Sequence, residues 1–226
     1  MRQVLISGSI LDADFSCVIK QIGEAASSGL NILHFDIADT SFTPTVSFGP
    51  KIAASITKKV NIPCEAHLMV TNPEKIVSQL AESSIETIYF HYEATTTPFR
   101  MISQIRKQGA KPGVAINPST SIRALEHILP EVDAVLVLLV EPGIGGQKMM
   151  KSLLSKITQL KQIRELEGYS YFIAADGGIK PYNIGEVVKA GVDIAIVGSA
   201  IFAQPNPGEA VKQLKSEIEK TLSSKQ

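Results

Sequence analysis

His34 and Asp36 stand two residues apart in one apolar, β-branched run, His67 sits in a second, and Asp176 ends another just before Gly177-Gly178. Two imidazoles and two carboxylates suit a single divalent cation of the zinc, manganese, iron or cobalt type. Ligands delivered from separate strand ends leave part of the coordination sphere open to a small molecule. Two carboxylates beside that opening could then act as base and acid on opposite faces of one substrate carbon. A lone buried histidine is more often a hydrogen-bonded core residue than a ligand. Four suitable residues at the ends of three strands, on matching parity, favour the metal reading.

Glycine supplies the second signal. Gly143-Ile144-Gly145-Gly146, Gly177-Gly178 and Gly198-Ser199 follow three successive strand-like runs. Each alone reads as an ordinary turn. Together they form a place where backbone N–H groups can approach a phosphate closely.

Positioning these residues requires strands that end at one rim. Runs at about 4–10, 32–38, 63–70, 87–92, 111–117, 134–140, 171–176 and 194–198 read as strands. Between them, apolar residues recur at helical spacing, as in Phe15–Ile19–Ile22, Ile76–Leu80 and Leu153–Ile157–Leu160–Ile163. Asn72-Pro73, Thr97-Pro98 and Asn206-Pro207 mark helix starts, and Gly29, Gly109, Gly168 and Gly191 mark stops. The result is eight strand–helix units over 1–226 with no linker, expected as one domain. An amphipathic last helix at 207–222 is expected to close it. Polar residues alternate along the strands (Ser7/Ser9, His34/Asp36, Glu65/His67, His91/Glu93), and no GxGxxG opens the first helix. Both observations favour a closed (β/α)8 barrel of the TIM type over an open doubly wound sheet. Period 2 then points His34, Asp36, Glu65, His67 and Met69 inward, and Leu33, Phe35, Ile37, Cys64, Ala66, Leu68 and Val70 toward the helices. Glu65 reads as a partner orienting a ligand, and His91 with Glu93 as a polar pair satisfying one another.

The 22 basic and 22 acidic residues balance and are dispersed, which argues against nucleic acid as a partner. No apolar run approaches the roughly 18 residues of a membrane span, and the N-terminus reads as a strand, not a signal peptide. Cys17 and Cys64 are expected to be buried thiols in a reducing, cytoplasmic setting.

Several segments resemble the ribulose-phosphate 3-epimerase family: GSILDADF, HFDIADTSFTP, EAHLMV, VLVLLVEPGIGGQK, AADGGI and VGSAIF, in order along nearly the whole chain. The resemblance implies a barrel of the ribulose-phosphate-binding type and a metal-dependent isomerase inverting carbon 3 of a ketose phosphate. Carried over by position, His34, Asp36, His67 and Asp176 would bind one divalent metal ion, and Asp36 and Asp176 would exchange protons with the substrate through a metal-stabilised enediolate. Ser9, Met69, Gly143, Ile144, Gly145, Gly146, Gly177, Gly178, Gly198 and Ser199 would contact the sugar phosphate. The chemistry needs no organic cofactor, and barrels of this family commonly form homo-oligomers. D-Ribulose 5-phosphate is the first expectation and a hexulose 6-phosphate such as allulose 6-phosphate the second. A decarboxylase or aldehyde-lyase of the same barrel group would carry D-x-K-x-x-D, and DIADTS has no lysine. A non-catalytic sugar-phosphate binder would not need both carboxylates. The chain departs from the family pattern at Asp12 (Ser), Ala38 and Leu138 (Met), Thr40 (Gly), Thr45 (Asn) and Glu65 (Asp). These changes are expected around the sugar, with extra room at Ala38.

Overall fold

The computed structural model describes residues 3–80 and 83–224. Eight parallel strands close on themselves in chain order: β1 (Leu5–Ser9), β2 (Ile32–Ala38), β3 (Cys64–Met69), β4 (Thr87–His91), β5 (Lys111–Ile116), β6 (Ala134–Leu138), β7 (Phe172–Asp176) and β8 (Ile194–Val197). β1 pairs with β8, which leaves this sheet without an edge. The fold is the expected TIM barrel, and every strand lies within about two residues of its expected span.

Helices α1 (Val18–Ser27), α2 (Pro50–Thr57), α3 (Pro73–Gln79), α4 (Pro98–Lys107), α5 (Leu154–Glu167), α6 (Ile184–Ala190), α7 (Ser199–Phe202) and α8 (Pro207–Ser223) surround it. Proline occupies the first turn of α3, α4 and α8, where its missing N–H costs nothing. Only Asn206 of the three preceding residues caps with its side chain, accepting from the Glu209 N–H at 3.1 Å. Gly168 and Gly191 terminate α5 and α6 in the left-handed conformation. α8 packs on α1 and α6 and buries Val211, Leu214 and Ile218, each worth roughly 1.5–3 kcal/mol when fully removed from water.

Three expectations change. The first helix starts at Val18 and buries Val18, Ile22 and Ala25, so Phe15 and Ile19 are exposed and Phe15 instead meets the Phe48 ring at 5.4 Å between centroids. Asp14 causes the late start: it accepts the Ser16 N–H at 2.9 Å and holds the backbone in a turn. Cys17, at that junction, is exposed; Cys64 is buried as expected. The connection after β5 holds two short 3-10 turns, Ile122–Leu125 and Leu129–Glu131, instead of an α-helix. Pro130 withholds a donor in the second turn, which opposes one continuous helix through both.

Two apolar layers separate cleanly. Leu33, Phe35, Ile37, Cys64, Ala66, Leu68 and Val70 join the layer between sheet and helices, as their parity predicts. Tyr89, Ala115, Leu136, Leu138, Ala174 and Ile196 fill the barrel interior. The interior is therefore asymmetric: β1–β4 contribute buried Ser7, Ser9, His34, Asp36, Glu65, His67 and His91. The opposite wall is apolar until Asp176 ends β7.

Candidate active site

Register creates the site. Ser9 lies beside His34 across β1–β2, Asp36 beside His67 across β2–β3, and Asp176 beside Leu138 and Ile196 on the far side. One ligand atom from each of His34, Asp36, His67 and Asp176 lies within 4.8 Å of every other. Among the described residues this is the one grouping of His, Cys, Asp and Glu compact enough to hold a metal ion.

Each side chain is held from behind. Glu65 lies 2.8 Å from His34 Nδ1 and accepts hydrogen bonds from Ser7 Oγ at 2.6 Å and Tyr89 Oη at 3.1 Å. Glu65 thus fixes the His34 ring in place. His34 Nε2 is buried without a hydrogen-bond partner, 3.4 Å from Asp36 Oδ1. Ser9 Oγ donates to Asp36 Oδ2 at 2.6 Å, and His67 Nδ1 lies 3.0 Å from Asp36 Oδ1. An orphaned imidazole nitrogen facing two converging carboxylates is a donor set completed by a cation. The residues fit the metal.

Electrostatics agree with that fit. Burial opposes ionisation of Asp36, yet the adjacent His34 and His67 overcome it and hold the carboxyl well below the usual carboxylate range. Asp176 is raised to about 7, first by burial and then by the negative charge of Asp36. Burial pulls His67 down to about 4, which makes it a neutral imidazole near pH 7. Two neighbouring carboxylates with opposed shifts are the electrostatic signature of a shared site.

A cleft opens above the cluster. Ser9, Met69, Gly143, Ile144, Gly145, Gly146, Gly177, Gly178, Gly198 and Ser199 all line it, together with Asp36 and Asp176. Glycine is needed at the turn after β7. Gly177 and Gly178 have φ of +117° and +65°, and a Cβ on Gly178 would strike the Met149 backbone nitrogen. Some departures from the family pattern reach this cleft. Asp12 and Leu138 border it, and Ala38 pairs with the cleft-lining Met69 across β2–β3. Asp39 accepts the Ser41, Phe42 and Thr71 N–H groups and shapes the loop after β2, whose Phe42 packs on His91 and whose Thr43 packs against Gly143.

One feature was missed in the sequence. Lys180 lines the cleft and donates from Nζ to Ser199 Oγ at 2.5 Å. A lysine directly after Gly177-Gly178-Ile179 was the available signal. Asp12 sits between two of the glycine loops: its Oδ1 is 3.7 Å from where a Cβ on Gly145 would stand, and its Oδ2 3.2 Å from one on Gly198.

The sequence and the fold both match known proteins. The Ribulose-phosphate 3 epimerase family model matches residues 5–202. The chain belongs to the ribulose-phosphate 3-epimerase family. It is an epimerase, an enzyme of the isomerase class. The ribulose-phosphate 3-epimerase of Methanocaldococcus jannaschii is 42% identical over 94% of this chain and 90% of its own. That of Escherichia coli K12 is 34% identical over 97% and 98%. Among solved structures, KGPDC from Streptococcus mutans superposes with a TM-score of 0.74 at 11% identity, covering 97% of this chain and 99% of that one. 3-Hexulose-6-phosphate synthase gives 0.72 at 16%, covering 95% and 99%. These two share the fold. Among the described residues no helix is long and apolar enough to cross a membrane.

Proposed function

We propose that this epimerase inverts carbon 3 of a ketose phosphate, converting D-ribulose 5-phosphate to D-xylulose 5-phosphate by proton transfer between two carboxylates. One observation carries the reading: Asp36 and Asp176 converge with His34 and His67 at the floor of a cleft rimmed by three glycine loops. Asp36 enters from β2 and Asp176 from β7, so a substrate carbon between them meets a carboxylate on either face. Asp36, held ionised by its histidine neighbours, is the candidate to start as base, with Asp176 opposite it as the group that returns a proton. Their roles exchange in the reverse direction. Ser9 steadies Asp36 through its hydroxyl and faces the sugar. The glycine loops supply backbone N–H groups for the phosphate, and Lys180 adds a positive charge on the same wall.

His34, Asp36, His67 and Asp176 would hold one divalent cation, which when bound supplies Lewis-acid stabilisation of negative charge on the substrate oxygens. The protein leaves His34 Nε2 unpartnered on the inner side of the cluster, ready for that use. No organic cofactor enters the scheme.

Leu138 and Asp12, which differ from the family pattern and border the cleft, make a hexulose 6-phosphate the second substrate to test. Incubation with ribulose 5-phosphate and allulose 6-phosphate in separate deuterium oxide reactions decides between them. Deuterium at carbon 3 together with the epimer is expected from ribulose 5-phosphate. Exchange confined to the hexulose phosphate would move the assignment to the second substrate, and exchange with neither would overturn both.

A further inference from the structure

We propose that His91 is a positioning residue that fixes the tautomer of His67, with Glu93 as the anchor that fixes His91. The inference rests on the reading of His67 as a metal ligand. His91 ends β4 and is fully buried, beneath the Phe42 ring at 4.6 Å between centroids. Its Nε2 lies 2.8 Å from His67 Nε2, and its Nδ1 lies 3.1 Å from Glu93 Oε2. Two facing imidazole nitrogens at that distance need one proton between them. Which ring carries it is decided at the other end of the chain.

An ionised carboxylate can only accept, so His91 Nδ1 must donate to Glu93. A neutral His91 then has only a lone pair at Nε2, and His67 Nε2 must donate to it. That leaves His67 Nδ1 unprotonated, 3.0 Å from Asp36 Oδ1 and inside the four-residue cluster. The opposite arrangement would place a proton on His67 Nδ1 and remove it as a ligand. Glu93 is itself fixed: its Oε1 accepts the Asn117 N–H at 2.8 Å and the Thr120 hydroxyl. The loop bearing those donors is tied down by Lys156 Nζ, which donates to the carbonyls of Asn117, Pro118 and Thr120 at 3.1, 2.7 and 2.6 Å. The pair that looked self-sufficient in the sequence therefore has its second face on the metal cluster.

The test compares His91→Leu with His91→Gln. Glutamine keeps an acceptor for His67 and a donor for Glu93; leucine keeps neither. Zinc affinity is measured by chelator competition on metal-stripped protein, alongside the ring N–H signals of the zinc-loaded protein by nitrogen-15 NMR. Expected is a loss of about 10–100-fold in affinity for His91→Leu, the range for partners of metal-bound histidines, with substantial recovery in His91→Gln. The wild type should also show a slowly exchanging His67 Nε2–H that His91→Leu loses. If His91→Leu does not fold, Glu93→Leu keeps both imidazoles and should weaken zinc binding in the same sense. Unchanged affinity in the leucine variants, or no recovery with glutamine, would overturn the positioning role alone. Wild-type protein that takes up no zinc would overturn the metal reading as well.

Discussion

Loading the metal-stripped protein with a divalent cation should expel protons, and the number expelled should fall as the pH rises past neutrality. Asp176 is the reason. Burial and the adjacent Asp36 raise it to about 7, and a cation requires it ionised. With that value about 0.9 of the carboxyl is protonated at pH 6 and about 0.1 at pH 8. Burial opposes charge on His34, yet Asp36 and Glu65 lift it above the ordinary imidazole range, so it adds to the release. Asp176 alone contributes a difference of about 0.8 proton per cation and about tenfold in apparent affinity, or about 1.4 kcal/mol. Titration calorimetry in buffers of different ionisation heat counts the protons directly. Asp176→Asn should bind more weakly and lose that share of the difference between the two pH values. Equal proton release at pH 6 and pH 8 in the wild type would refute the reasoning. So would an Asp176→Asn protein whose release still falls by the wild-type amount.

Asp36→Asn should keep the fold by circular dichroism while turnover and carbon-3 deuterium exchange drop by at least about 100-fold, the scale of a lost acid–base group. Lys180→Met removes a charged contact worth roughly 1.5–3 kcal/mol, so kcat/KM should fall about 10–100-fold through KM, and competitive inhibition by inorganic phosphate should weaken in parallel. Asp12→Ser should change the preference between pentulose and hexulose phosphates more than it changes kcat on the better one. Glu93 is held at about 2, its hydrogen bonds from His91, Thr120 and Asn117 outweighing burial. Its folded value lies below its unfolded one, so its stabilisation is present above about pH 4.5 and lost as the pH falls through about 2. Glu93→Gln should flatten that acid limb in thermal-shift measurements.

Period-2 alternation was enough to select His34, Asp36, His67 and Asp176, because in a parallel barrel the inward face and the C-terminal rim follow from strand parity and chain direction alone. The same logic located the glycine loops that rim the cleft and separated Leu33, Phe35 and Ile37 from the interior. Local chemistry that competes with pattern was less legible. Phe15 and Ile19 fit a helical stripe, but Asp14 turns the chain first.

Closure of the barrel decided the rest. A residue's parity states which way it points; the stagger between strands states whom it meets. His91 therefore read as a partner for Glu93, two residues away, while its 2.8 Å contact with His67 arises only from the pairing of β3 with β4. Lys156 on α5 reaches the loop after β5 because β5 and β6 are neighbours, and Asp12 falls beside Gly198 because a closed sheet brings the first and last units together. The sequence by itself determined which residues could do the chemistry. Only the tertiary structure decided which groups hold them in the protonation state and orientation that chemistry needs, since hydrogen-bond partners across a barrel are set by register and not by spacing along the chain.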